Sequence, residues 1–326
     1  MRAISRRAFL ITTGGAVLLT ACGGGPGDGD SAADTTSAGE TDGSGDGAST
    51  LPAGGSTGDA VLVRFFSDGV LAAGTPQRLP FGLGDANGVL TTGGPEQLDI
   101  AVIDSSGAMV TTETVPRHAE GLVRPYWPLS LELTTPGIYT ASVEIASLDQ
   151  KGATATSAFT ISPAEQVAIP KVGDRLIAVD TPTVTDARGV TPICTRDPAC
   201  ALHEVTLTEA LASGRPVAVL IGTPAYCQTG TCGPVLDVLL AQREQYPDVV
   251  MVHAEIYKDP EQALSSSATA TAGGGADLGE VTEAVKAYEL PFEPVLYAAG
   301  ADGVIRARLD SIYDGTELGA VLAGLS

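Results

Sequence analysis

The chain has 326 residues and a formal net charge of −21 at pH 7, from 39 acidic against 18 basic side chains. That balance argues against nucleic acid and anionic surfaces as partners, since the chain's own field opposes their approach. The acidity itself reads as a solubility trait.

From the start, Arg2, Arg6 and Arg7 form a basic region, and a mildly apolar run to Ala21 follows that is too short to span a bilayer. Ser5-Arg6-Arg7-Ala8-Phe9-Leu10 resembles a twin-arginine export signal, and Leu19-Thr20-Ala21-Cys22 resembles a lipobox. Together they imply a signal peptide over residues 1–21, a lipid on Cys22, and anchoring by that lipid to the cell membrane on its extracytoplasmic side. Residues 23–59 are nearly all Gly, Asp, Ser, Thr, Ala and Pro, with little apolar surface to offset the entropy of ordering. Residues 22–59 are therefore expected to be the lipidated cysteine and a disordered linker, with an r.m.s. span on the order of 30–37 Å.

The remaining chain suits two domains, divided near Pro163. Over residues 60–163, short alternating or β-branched runs at 61–66, 98–103, 129–133, 138–145 and 155–161 predict an antiparallel β-sandwich. Asp104-Ser-Ser-Gly107 predicts a hairpin turn. Thr135-Pro-Gly-Ile-Tyr139 resembles the approach to a late strand in immunoglobulin-like domains, where a tyrosine ties down a corner. Trp127 is expected to pack in the core or at an edge. No catalytic motif occurs here, so a spacer or interaction role is expected.

From 164 to 326 the texture is β/α. Residues 216–221 are a continuous apolar run, as in a strand buried on both faces, and 235–246 has helical spacing. A strand at 249–256, a helix at 277–288, a hairpin of 295–298 with 304–309 across Gly300-Ala-Asp-Gly303, and a helix at 316–325 complete a β-α-β-α-β-β-α order. Residues 265–276, a low-complexity Ser/Ala/Thr/Gly run, read as a surface insertion.

That order, with a cysteine pair where the first strand meets its helix, resembles the thioredoxin fold. Ala225-Tyr226-Cys227 resembles the strand end that carries the family's nucleophilic cysteine, and Tyr288-Glu-Leu-Pro-Phe-Glu-Pro294 resembles the segment bearing its cis-proline, here Pro294. Val172-Gly-Asp174 and Thr206-Leu-Thr-Glu-Ala-Leu211 resemble the leading segment of extracytoplasmic members. The resemblance implies thiol-disulfide exchange through Cys227 and Cys232, with a protein or small-thiol partner and no cofactor.

The family's C-x-x-C is replaced by Cys227-Gln-Thr-Gly-Thr-Cys232-Gly-Pro-Val235. Either Cys227 is the nucleophile and Cys232 resolves it from the helix start, or Cys232 heads a Cys-Gly-Pro box and its partner lies upstream. The first register keeps the Tyr226–Cys227 junction. Glu293 before Pro294 is a further departure, because a carboxylate beside a thiolate raises the thiol pKa.

With Cys22 lipidated, Cys194/Cys200 and Cys227/Cys232 remain, and an even remainder in an oxidising compartment favours disulfides. Cys194 and Cys200 are expected to form a structural staple. Zinc is the rival reading, disfavoured by the C-x5-C and C-x4-C spacings without flanking histidines. His118, His203 and His253 show no metal spacing, His253 reads as a core or edge histidine on a strand, and a copper site would want a histidine later in the chain. Thr223 and Pro224 do not fit a peroxidatic motif. The alternative to exchange chemistry is a non-enzymatic binding or scaffold lipoprotein with permanent disulfides.

Overall fold

The structure, a computed structural model, describes residues 56–57, 60–85, 87–145, 153–227, 229–263 and 279–325, within one compact unit, Gly47–Ser326. The expected signal peptide, Cys22, nearly all of the linker and the 265–276 insertion lie outside the described residues. The chain is rich in β-structure, with three sheets and few helices. Among the described residues no helix is long and apolar enough to cross a membrane.

Nine strands make two sheets in the first half: β1 (Ser56–Thr57), β2 (Val61–Arg64), β3 (Pro76–Asp85), β4 (Gly88–Val89), β5 (Gln97–Asp104), β6 (Met109–Pro116), β7 (Trp127–Glu132), β8 (Gly137–Ile145) and β9 (Ala153–Ile161). One sheet runs β1-β9-β8-β5-β6, and in the other β3 pairs with β2, β4 and β7. Ser56 and Thr57 pair with Ala155 and Thr154, so the folded part begins before Ala60, inside the expected linker.

Alternation explains the core. Ile100 and Val102 of β5, Ala141 and Val143 of β8 and Phe159 of β9 share one cluster with Leu62, Leu79, Phe81 and Leu129 of the other sheet. Phe66 sits edge-on to both Phe81 and Phe159, with ring centroids 5.4 and 6.2 Å apart. Burying side chains of this size stabilises by about 1.5–3 kcal/mol each. Trp127 is fully buried in the same core.

Two local expectations are met in detail. Asp104 Oδ1 accepts from the N–H groups of Ser106 and Ala108, and Gly107 takes φ 84°, which closes the β5–β6 hairpin. Tyr139 donates its hydroxyl hydrogen to the Thr135 carbonyl at 2.8 Å. Besides the two-residue β1 and β4, the longer strands β3 and β6 were not expected. The prolines and glycines of β3 read as turns, yet a Cβ at Gly82 would fall 2.6 Å from the Phe65 ring, so that glycine makes room for an aromatic side chain. In β6, an edge strand, nearly every side chain is at least partly exposed, and no apolar alternation marks it.

The third sheet contains β10 (Val217–Ile221), β11 (Val250–Ala254), β12 (Val295–Ala299) and β13 (Ile305–Asp310), in the order β11-β10-β12-β13. Strands β10 and β11 are parallel, and the other pairs are antiparallel. Helices α1 (Leu207–Ala212), α2 (Cys232–Gln242), α3 (Glu283–Tyr288) and α4 (Gly315–Ala323) cover both faces. Because strand side chains alternate, Val217, Val219 and Ile221 pack with α1 and α3, whereas Ala218 and Leu220 pack with α2 and α4. That is why β10 reads as unbroken apolar sequence.

The helix ends follow local chemistry. A reciprocal capping box joins Thr206 and Glu209 at α1, and Asp314 accepts from Glu317 N–H at α4. Helix α2 begins three residues before the expected start, with Pro234 in the first turn, where its missing N–H costs no helical bond. Residues 167–206 form neither helix nor strand.

The third sheet docks on the others through buried charge. Arg78 of β3 forks onto both carboxylate oxygens of Glu317, donates to the Asp310 and Ile312 carbonyls, and lies over the Tyr126 ring. Burial works against the Arg78 charge, but Glu317 overcomes it and holds the guanidinium above its ordinary pKa.

Candidate functional site

Cys227 and Cys232 are bonded to each other where β10 passes into α2, with Cα atoms 5.8 Å apart. Their environments differ: Cys227 is half-buried in the loop, while Cys232 is fully buried as the first residue of α2. The N–H of Cys232 points at Cys227 Sγ from 3.3 Å, so an N-terminal donor of the helix serves the outer sulfur. The Thr229 hydroxyl lies 3.1 Å from the same sulfur. Unpaired N–H groups and the helix dipole favour a thiolate at that position.

Against the inner sulfur lie Glu293 and Pro294. The Glu293–Pro294 peptide is cis, as the sequence led one to expect for Pro294. Glu293 Oε2 is 3.5 Å from Cys232 Sγ and accepts from Thr223 N–H at 2.8 Å. Burial pushes the Glu293 carboxyl up to about 7, with the Glu255 charge adding to the effect. At neutral pH the group is therefore divided between acid and carboxylate, able to hold or release a proton beside Cys232.

The expected Cys194–Cys200 staple is not formed: both thiols are free and buried. The loop that carries them turns both sulfurs toward His253 of β11. His253 Nδ1 lies 3.8 Å from Cys194 Sγ, 3.6 Å from Cys200 Sγ and 3.2 Å from His203 Nε2. All four residues are buried, and their ligand atoms lie within 4.8 Å of one another. The hydrogen bond from Cys200, reinforced by His203 and His253, holds the Cys194 thiol well below its usual range, and that sharing raises Cys200. Burial disfavours the His253 cation, but Cys194 and Glu255 outweigh it and raise the imidazole.

His253 is thus no ordinary core histidine, and sequence reasoning missed its partners. A signal was present in Cys200-Ala-Leu-His203, which sets a histidine three residues after a cysteine. His118 goes elsewhere: its Nδ1 pairs with Asp314 Oδ1 at 2.9 Å, between the two halves. The two cysteine groups are neighbours, since the Thr195 hydroxyl accepts from Ala225 N–H at 3.1 Å.

No protein-family model and no curated protein matches the chain. Among solved structures, 32% of the chain is similar to 80% of a superoxide reductase (neelaredoxin) from Ignicoccus hospitalis, at 11% identity and TM-score 0.23. Likewise 32% is similar to 86% of a hypothetical protein from Pyrococcus horikoshii, at 11% identity and TM-score 0.21. A β-glucuronidase from Bifidobacterium dentium is similar over 38% of this chain and 19% of its own, at 11% identity and TM-score 0.20. Likenesses this slight assign neither fold family nor activity.

Proposed function

We propose that the chain is an extracytoplasmic, lipid-tethered protein that exchanges thiols and disulfides through Cys227 and Cys232. The observation that carries the reading is the asymmetry of the pair: one half-buried sulfur served by a helix N-terminus, and one fully buried sulfur beside Glu293 and the cis-proline Pro294. A thioredoxin-like identity for residues 164–326 is supported by the β11-β10-β12-β13 order and by helices on both faces. An immunoglobulin-like identity for residues 60–163 is supported by the two sheets sharing one core and by the Tyr139–Thr135 bond. The tether and its export rest on the resemblances around Arg6, Arg7 and Cys22.

In the reducing direction, the Cys227 thiolate attacks a substrate disulfide, forming a mixed disulfide and expelling one substrate thiolate. Cys232 passes its proton to the Glu293 carboxylate and attacks Cys227 Sγ, which closes the internal bond and expels the second thiolate. Two electrons pass to the substrate, and the reverse sequence oxidises a dithiol. The test is the reduction potential of the pair in the detergent-extracted full chain. A value between about −120 and −270 mV is expected, whereas one below about −300 mV, with no alkylatable thiol at Cys227 or Cys232, overturns the proposal.

A further inference from the structure

The Cys194, Cys200, His203 and His253 cluster has the composition and dimensions of a metal site, independently of any exchange chemistry at Cys227 and Cys232. A tetrahedral zinc ion with Zn–N of about 2.0–2.1 Å and Zn–S of about 2.3 Å sets its ligands about 3.3 Å apart for N···N and about 3.6 Å for N···S. The separations here are 3.2 Å for His203 and His253, and 3.6 and 3.8 Å from His253 Nδ1 to the two sulfurs.

The surroundings orient the donors as a ligand set requires. His253 Nε2 lies 3.0 Å from the Gly222 carbonyl, which can only accept, so Nε2 carries hydrogen and Nδ1 faces the cluster. His203 Nδ1 is buried with no hydrogen-bond partner among the described residues, so that ring meets polar atoms only through Nε2, toward the cluster. Cys194 Sγ receives the N–H of Cys200 at 3.4 Å, which steadies a thiolate. Thiolate and imidazole donors without a carboxylate oxygen suit neither calcium nor magnesium, and four buried protein ligands leave no open position for a reacting water.

We propose that Cys194, Cys200, His203 and His253 bind one zinc ion in a closed, structural site, each thiol releasing its proton to solvent as its Zn–S bond forms. The ion ties the irregular 194–203 segment to β11, a function that the sequence alone would give to a disulfide. It also stands behind Gly222, whose other neighbours are Cys232 and Pro294.

The test uses the full chain with Cys227→Ser and Cys232→Ser, which removes the neighbouring thiols, reduced and stripped of metal. Titration with Zn²⁺ against a chromogenic chelator is expected to give one ion per chain. Co²⁺ in its place is expected to give the visible bands of tetrahedral cobalt and a thiolate charge-transfer band. Cys200→Ser or His203→Ala is expected to weaken zinc at least 100-fold. Because these variants can unfold, alkylation of Cys194 and Cys200 is followed in parallel, with protection by zinc and release by chelator expected. Absence of zinc uptake, octahedral cobalt, uptake of Cu⁺ alone, or a Cys194–Cys200 disulfide in the isolated protein overturns the proposal.

Discussion

His253 Nε2 and the Gly222 carbonyl oxygen lie 3.0 Å apart, and on its other side Gly222 meets Cys232 and Pro294. A Cβ at position 222 would stand 3.0 Å from Pro294 Cβ and 3.6 Å from Cys232 Sγ, so Gly222→Ala must displace the proline by a few tenths of an ångström. We expect a loss of about 1–3 kcal/mol in denaturant unfolding and slower reduction of the Cys227–Cys232 bond by a small dithiol. Parental values in both measurements would show that the wall is not tight.

The burial difference between the two sulfurs predicts a one-sided trap. Cys232→Ser leaves the half-buried Cys227 free to form a stable mixed disulfide with a thiol partner, detectable as a mass shift under non-reducing conditions. Cys227→Ser leaves Cys232, Cys194 and Cys200, all of them buried, and should give no adduct. Equal trapping by both variants would contradict the assignment of Cys227 as nucleophile.

Glu293 predicts a pH dependence with a definite sign. Burial raises its carboxyl to about 7, so between the unfolded value near 4.5 and about 7 the folded protein holds the extra proton. Stability should therefore fall as pH rises through that window, by on the order of 2 kcal/mol once partial exposure is allowed for. The charges of Glu255 and Tyr257 face the same carboxyl, and the bonded sulfur of Cys232 lies 3.5 Å from it. Chemical denaturation of Glu293→Gln against the parent between pH 5 and 8 isolates its share, and an unchanged slope would refute it.

Arg78 and Glu317, 239 residues apart in sequence, are held Nη2 to Oε2 at 2.6 Å with little exposure of either side chain. Removing one partner strands a buried charge, so Arg78→Ala should cost about 3–5 kcal/mol. Replacing both, as in Arg78→Met with Glu317→Leu, should cost clearly less. Thermal unfolding of the single and double variants gives the coupling directly.

What was legible in the sequence was local. The run at 217–221, the turns at Asp104 and Gly300 and the role of Tyr139 each depend on neighbours a few residues away. Strand β3 was hidden because Gly82 and the prolines serve packing from other segments, and β6 because an exposed edge needs no apolar pattern. Of the candidate site, the Cys227–Cys232 pair could be read from its position between strand and helix. The Cys194–Cys200 pair was misread because compartment and spacing cannot reveal what lies across the fold.

By itself, then, the sequence determined most of the order of strands and helices after residue 216, the turn chemistry and the placing of one cysteine pair at a helix start. Periodicity and turn chemistry are properties of adjacent residues, so they survive in one dimension. Only the tertiary structure decided that Cys194 and Cys200 face His253, 59 and 53 residues away, as free thiols and not as a disulfide. The segment carrying those thiols has no periodicity of its own, and its path is set by the sheet on which it lies.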